Sequence, residues 1–188
     1  MLTVTTRVAK RAAQSGATLI EILVTVVIMS IGLLSLASLQ AFAIAANQNA
    51  INRSLAAALA NDYADMLRAN PIGFAAGSYD KAAAFDPAST SVPTISAGSI
   101  CTFPNCTPQS LGVFEQAMLT TRTKATLKAG AFAMSRPGGA TTQADLWIMW
   151  TEQNNAGAAS NQDTFDNCPS AVRSVSPLPR CFYMRVSL

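Results

Sequence analysis

Histidine is absent from this 188-residue chain, and its absence removes the commonest general base and the commonest metal ligand. Charge is sparse as well, at 12% of residues. From Ile22 to Asn52 there is neither a charged residue nor a proline, and the first proline of the chain is Pro71. No cysteine precedes Cys101. No Gly-x-Ser-x-Gly, phosphate loop or dinucleotide fingerprint occurs, so the familiar nucleophile and nucleotide chemistries have no anchor. Asp163 and Asp166, near Asp145 or Glu152, would be the only carboxylate pair to consider, and they read as solvated loop charges. These gaps exclude most enzyme classes, and no cofactor or metal site is expected.

What is present is apolar. Half the residues are hydrophobic, and the excess lies between Ala17 and Ala46. The formal charge of +3 comes from Arg7, Lys10 and Arg11, because the other ten Lys and Arg balance ten Asp and Glu. A neutral remainder gives no reason to expect a nucleic-acid partner. A bilayer core needs about 20 apolar residues, and Ile22 to Ala46 provides them. A cleavable secretory signal has a core of only about 7–15 residues followed by its small-residue cut site. Here the small residues come first. The basic leader predicts a cytoplasmic amino terminus, with the bulk of the chain outside. The four cysteines on that outer side suit an oxidising compartment.

One residue breaks the pattern. Glu21 stands five residues past Gly16, at the edge of the apolar run. Carboxylates in such places are costly and are functional candidates by default. If the chain were cut after Gly16, Ala17 would carry a cationic amine four residues from Glu21, about one helical turn. That amine, or its counterpart on a neighbouring chain, would be a natural partner. A plain single-pass anchor, with Glu21 at headgroup level, is the competing interpretation.

The segment "SGATLIEILVTVVIMSIGLL" behind its basic leader resembles the signal of type IV prepilins and pseudopilins. "SIGLLSLASLQ", "AAALANDYADMLRANP", "CTPQSLGVFE" and the terminal "CFYMRVSL" further resemble PilV-type minor pilins. The resemblance implies cleavage between Gly16 and Ala17 by a membrane aspartyl prepilin peptidase, N-methylation at Ala17, and a subunit-docking role for Glu21. It departs at Ala17, where that family most often has phenylalanine. It implies a leader at 1–16, a membrane and filament-core helix at 17–46, and a periplasmic domain at 47–188. Implied partners are other minor pilins, the major pilin, the prepilin peptidase and the inner-membrane assembly platform. Assembly or priming of a pilus, with twitching motility and adhesion, is the implied role. A type II secretion pseudopilin and an uncleaved membrane-anchored binding module are the alternatives.

The expected fold is α+β: a long helix laid across a small antiparallel sheet with stapled loops, as in pilins. The helix should run unbroken to Asn70-Pro71, since proline disfavours helix in the residue before it. Ile51, Leu55, Leu59, Tyr63, Met66 and Leu67 would face the domain. Residues 72–107 read as a loop, with a helical turn at the Ala82–Ala84 triplet. Thr107-Pro108 predicts a helix start, with Leu111, Phe114, Met118 and Ala125 on one face. Strands are expected at 131–134, at 144–152 (central, since both faces are apolar) and at 181–188. Trp147 and Trp150 would lie on opposite faces. Cys101, Cys106, Cys168 and Cys181 allow three connectivities. Pairing nearest neighbours, 101 with 106 and 168 with 181, is the expectation, ahead of a Cys₄ zinc site whose second spacing is too wide.

Overall fold

The chain forms one long helix, α1, from Leu19 to Ala69, without a break at the polar stretch Asn47–Asn49. This computed structural model describes residues 16–95, 100–102, 104–152 and 167–188. The leader charges Arg7, Lys10 and Arg11 and the loop carboxylates Asp163 and Asp166 therefore lie outside the described residues. The chain divides into two units, Met1–Ala43 and Ile44–Leu188.

In the second unit, α1 stops where Pro71 requires it to. Asn70 then caps a short helix, α2, over Pro71–Ala75, where the sequence suggests only loop. Helix α3, Pro108–Thr126, starts on a full capping box: Ser110 N–H donates to Thr107 Oγ1 at 3.1 Å, and Thr107 N–H to Ser110 Oγ at 2.8 Å. Three strands follow, β1 at Ala131–Ser135, β2 at Gln143–Trp150 and β3 at Arg180–Ser187. They form one antiparallel sheet in the order β1-β2-β3, so the twice-apolar strand is central.

The two faces of β2 organise two cores. Ala144, Leu146, Ile148 and Trp150 point to the helices, where they join Phe132, Met134 and Val186. From α1 the same core receives Ala56, Leu59, Ala60, Tyr63, Ala64 and Leu67. Tyr63 is its aromatic hub, edge-on to Tyr79 at 5.8 Å and to Phe132 at 5.4 Å. The opposite face packs Ala133, Met149 and Cys181 under Cys168 and Val172, with Phe85 and Trp147 alongside. Trp147 and Trp150 do separate to opposite faces.

Three local expectations are corrected. Ile51 and Leu55 are exposed, at 47% and 36%, while Ala56, Ala60 and Ala64 take the buried stripe. Ala56, Ala60 and Ala64 share the core cluster with Tyr63 and Leu67, so the stripe is set by position on the helix and not by side-chain hydropathy. On α3 the buried residues are Gly112, Leu119 and Thr123, whereas Ala125 is exposed. Gly112 faces Tyr79, whose ring atoms would lie 3.0 Å from an added Cβ. The Ala82–Ala84 triplet is not helical, because Lys81 instead exchanges backbone hydrogen bonds with Met134 at the edge of β1, at 2.9 and 3.0 Å.

Candidate functional site

The residues singled out at the amino terminus lie at the start of α1. Gly16, Ala17 and Thr18 are exposed and precede the first helical turn. Thr18 opens the ladder: its carbonyl accepts from Glu21 N–H at 3.0 Å and from Ile22 N–H at 3.3 Å. Glu21 is exposed in the first turn, where unsatisfied backbone N–H groups favour a negative charge by about 0.3–1 kcal/mol.

From Ile22 to Ala46 the helix surface is predominantly apolar. Its large apolar residues from Leu19 to Ile44 are each between 51 and 81% exposed. One 18-residue window has a mean hydropathy of 2.5, which makes α1 long and apolar enough to cross a membrane. Its hydroxyls are handled as an apolar medium requires. Thr25, Ser30, Ser35 and Ser38 each donate to a carbonyl three or four residues back, at 2.8–3.0 Å. No hydroxyl between Ile22 and Ala46 is left without a partner. An apolar surface of this extent exceeds what a soluble monomer exposes, so its working environment is lipid or other helices.

The four cysteines form two disulfides, Cys101–Cys106 and Cys168–Cys181, with Cα separations of 4.9 and 5.4 Å. The zinc alternative therefore has no thiolates to use. Cys101–Cys106 closes a small loop just ahead of the α3 cap, and Cys101 Sγ lies 3.4 Å from Ser110 Oγ. Cys168–Cys181 is buried, and ties the last described loop to β3 on the outer face of the sheet. Trp147 Nε1 donates to Asn167 O at 2.9 Å beside it, which fixes the loop over the strand.

Two polar constellations were not visible in the sequence. Asn70, 6% exposed, is saturated: its Oδ1 accepts from Gly73 N–H, and its Nδ2 donates to Pro108 O and Tyr79 Oη. Tyr79 Oη in turn donates to the Glu115 carboxylate. Burial, reinforced by that carboxylate, raises the Tyr79 phenol above its usual range, while the Asn70 bond opposes the rise. On the other face, Arg185 holds Asp145 by two bonds, at 2.7 and 3.0 Å, and Tyr183 Oη donates to it at 2.8 Å. The arginine bonds, aided by Tyr183 against desolvation, lower the Asp145 carboxyl. Glu152 accepts from Arg180 at 2.9 Å. These carboxylates are engaged in fixed contacts that brace the fold.

An apolar helix opening on a single acid, a three-stranded antiparallel sheet and two disulfides together define a membrane-anchored, pilin-like architecture. The prokaryotic N-terminal methylation motif matches residues 11–37, and the type IV pilin Tt1218-like family matches residues 38–117. No curated protein and no solved structure gives a significant match. The chain is a type IV pilin-like protein. It is a single-pass inner-membrane protein by its apolar helix and methylation motif, and it belongs to pilus assembly. The family is structural in character. The sheet, from Ala131 onwards, lies beyond both matched regions.

Proposed function

We propose that the chain is a minor pilin of a type IV pilus, of the PilV type, with an assembly role and no catalytic one. It is made as a precursor. The prepilin peptidase removes residues 1–16 after Gly16 and methylates the amine of Ala17. Residues 17–46 then serve first as the membrane anchor and later as filament core, and residues 47–188 form the periplasmic domain.

The supporting observation is the exposed apolar helix with one acid in its first turn. Bundling such helices with those of other subunits removes their surface from both water and lipid headgroups. Glu21 enters that bundle as the one group needing a counter-ion, and the Ala17 ammonium of an adjacent subunit has the right charge and depth. Pairing compensates a carboxylate that would otherwise cost about 2.5–3.5 kcal/mol at mid-membrane, and less near an end. Other minor pilins and the major pilin are the partners, on the inner-membrane platform. Priming of the filament, and through it twitching motility and adhesion, is the biological outcome.

The mass of the chain recovered from its native host tests the reading. Loss of residues 1–16 together with one added methyl group supports it. A retained leader on a solitary membrane protein overturns it in favour of a plain anchored module. Glu21→Val should be processed normally yet be depleted from sheared filaments. Wild-type abundance of that variant in filaments would remove the docking role.

A further inference from the structure

On the outer face of the sheet the cross-strand rows are Ala133–Trp147–Tyr183 and Ser135–Asp145–Arg185. The first row sets the largest side chain of that face beside one of the smallest, which leaves a gap over β1 bordered by the indole. The segment 80–83, bridged through Lys81 to Met134 at the strand edge, closes the opposite side, and residues 169–171 close one end. The result is a cleft of about 500 Å³, within the range of about 300–1,000 Å³ typical of small-ligand sites. We propose that this cleft binds a neutral pyranoside, with the Trp147 ring stacked on the C–H face of one sugar ring.

The aromatic wall is fixed in advance. Trp147 Nε1–H donates to Asn167 O at 2.9 Å, and Tyr183 packs on the indole with ring centroids 5.4 Å apart. Its one donor is thus occupied, so half-buried Trp147 offers the cleft hydrocarbon surface only. A side chain held before the ligand arrives loses little freedom on binding. The other apolar liners are alanines, Pro169 and the buried Met134, so a bulky peptide anchor finds no large partner besides the indole. Nor can a peptide strand be added at Met134, because its N–H and C=O are both bonded to Lys81, at 3.0 and 2.9 Å. The surface suits a ligand that is flat and apolar on one face and polar at its rim, which describes a pyranose.

Charge points the same way. Asp80 and Arg136 line the cleft but pair with each other, the guanidinium donating to the carboxylate at 2.8–3.1 Å. The Lys81 ammonium sits 5.1 Å from the centroid of Phe132, which belongs to the core on the other side of the sheet. The lining therefore has no unpaired charge with which to hold a phosphate or a carboxylate. It does have the hydroxyls of Ser135 and Ser170, both exposed, and the remaining lone pairs of Asp80. Sugar hydroxyls, which donate and accept, match that set.

The two disulfides suit an oxidising compartment, where such rings have two sources. One is N-acetylated glycan of the cell's own envelope, and the other is hexose glycan at a foreign surface. The proposal is independent of leader cleavage, docking and filament formation.

Saturation-transfer NMR on the full chain tests it, in a polyoxyethylene detergent that carries no sugar headgroup. The probes are N,N′-diacetylchitobiose, cellobiose and lactose. At least one should bind with a Kd of about 1 mM or tighter, with saturation strongest on the axial C–H protons of one ring. Preference for diacetylchitobiose assigns the envelope glycan and preference for a hexose disaccharide the foreign one, and either supports the site. Trp147→Phe should keep affinity within about threefold, whereas Trp147→Leu, apolar but not flat, should weaken it at least about tenfold. Ser135→Tyr fills the cleft from an exposed position and should weaken binding as much, with an unchanged thermal midpoint. Should the Trp147 variants fail to fold, Ser135→Tyr decides alone. Val113→Ser, an exposed change on α3, is the control and should alter nothing. No sugar bound at about 10 mM, equal affinity of Trp147→Phe and Trp147→Leu, or wild-type affinity of Ser135→Tyr overturns the site. Binding of acetyl-phenylalanine amide without any sugar would make the cleft a peptide pocket and overturn the assignment.

Discussion

Asn70 and Tyr79 meet in the interior, the amide Nδ2 donating to the phenol Oη at 2.9 Å. This bond joins the end of α1 to the chain beyond α2, and Tyr79 passes the connection to Glu115 on α3. The same amide caps α2 through Gly73 N–H at 3.0 Å and reaches Pro108 O at 2.7 Å. One side chain thus fixes how three consecutive helices turn at the end of α1.

Asn70→Ala should therefore be among the most destabilising single changes in the second unit. It removes a helix cap, worth about 1 kcal/mol, and strands buried partners at about 1–3 kcal/mol. A loss of about 2–4 kcal/mol is expected by denaturant unfolding. Asn70→Asp keeps the cap but places a carboxylate beside Tyr79 and Glu115, and should recover little of that loss. A near-neutral result for either variant would show that the network is ornamental.

The helix ends are readable in the sequence, and the faces are not. Asn70-Pro71 and Thr107-Pro108 announce a stop and a start through steric rules acting on one or two residues. Strand β2 reveals its central place by being apolar on both faces. The contact stripe of α1 is hidden, because Ala56, Ala60 and Ala64 carry little hydropathy while Ile51 and Leu55 carry much. Which group is buried is set by position on the helix within the assembled layers. The Asn70 network is likewise hidden, since Tyr79, Pro108 and Glu115 lie 9 to 45 positions away. At the candidate site the reverse holds: Gly16, Ala17 and Glu21 are conspicuous by spacing alone, and the local structure adds only their exposure and the start of the helix. The roles proposed for them involve a peptidase and neighbouring chains, so they are not inscribed in the fold of one.

The chain has three tyrosines, and each phenol is shifted upward. Burial dominates in every case, with Asp145 adding to the effect at Tyr183 and Glu115 at Tyr79. A group whose folded value is raised stabilises the fold below its unfolded value, near 10, and that contribution is lost as pH climbs above it. Ultraviolet titration of the native protein should show no tyrosinate signal from Tyr63 or Tyr79 at pH 10. Ionisation of these two should then come as one cooperative step with unfolding at higher pH. A smooth transition centred at pH 10 for either of them would contradict the packing described.

Asp145 sets the acid limit. Its bonds to Arg185 and Tyr183 lower its carboxyl below the ordinary value of 3.8. A depressed carboxyl contributes stability at pH above that value and loses it as pH falls through the folded value. Unfolding free energy should hold steady down to about pH 4 and then decline. Asp145→Asn should flatten part of that decline and lower stability at neutral pH, as read by denaturant midpoints across pH 2–7.

The two disulfides should differ in importance. Cys168–Cys181 spans 13 positions and is buried against Met149 and Val172, whereas Cys101–Cys106 spans five at the surface. In the chain-entropy account, closing the longer loop stabilises by about 3 kcal/mol and the shorter by about 2. Replacing the buried pair by serine also places hydroxyls in an apolar cluster. The Cys168→Ser/Cys181→Ser double variant should lower Tm distinctly more than Cys101→Ser/Cys106→Ser. Equal midpoints would mean that the outer-face cluster contributes nothing beyond loop closure.

Two glycines separate folding within the chain from association between chains. At Gly130 an added Cβ would lie 2.7 Å from the Thr123 carbonyl carbon and 3.0 Å from Leu127 O, with the Thr123 oxygen closer still. These are backbone atoms that cannot step aside, so Gly130→Ala should cost at least the 1–3 kcal/mol typical of overpacking and reduce the yield of folded protein. At Gly32, within the apolar run, nothing lies within 4 Å, and Gly32→Leu should leave the thermal midpoint of the detergent-solubilised chain unchanged. If neighbouring helices pack at that position, the same variant should be scarce in sheared filaments while remaining abundant in the membrane. A Gly32→Leu protein that enters filaments as readily as wild type would mean that close helix packing at this depth is not used. A midpoint shifted as far as that of Gly130→Ala would place the glycine inside the fold of the single chain.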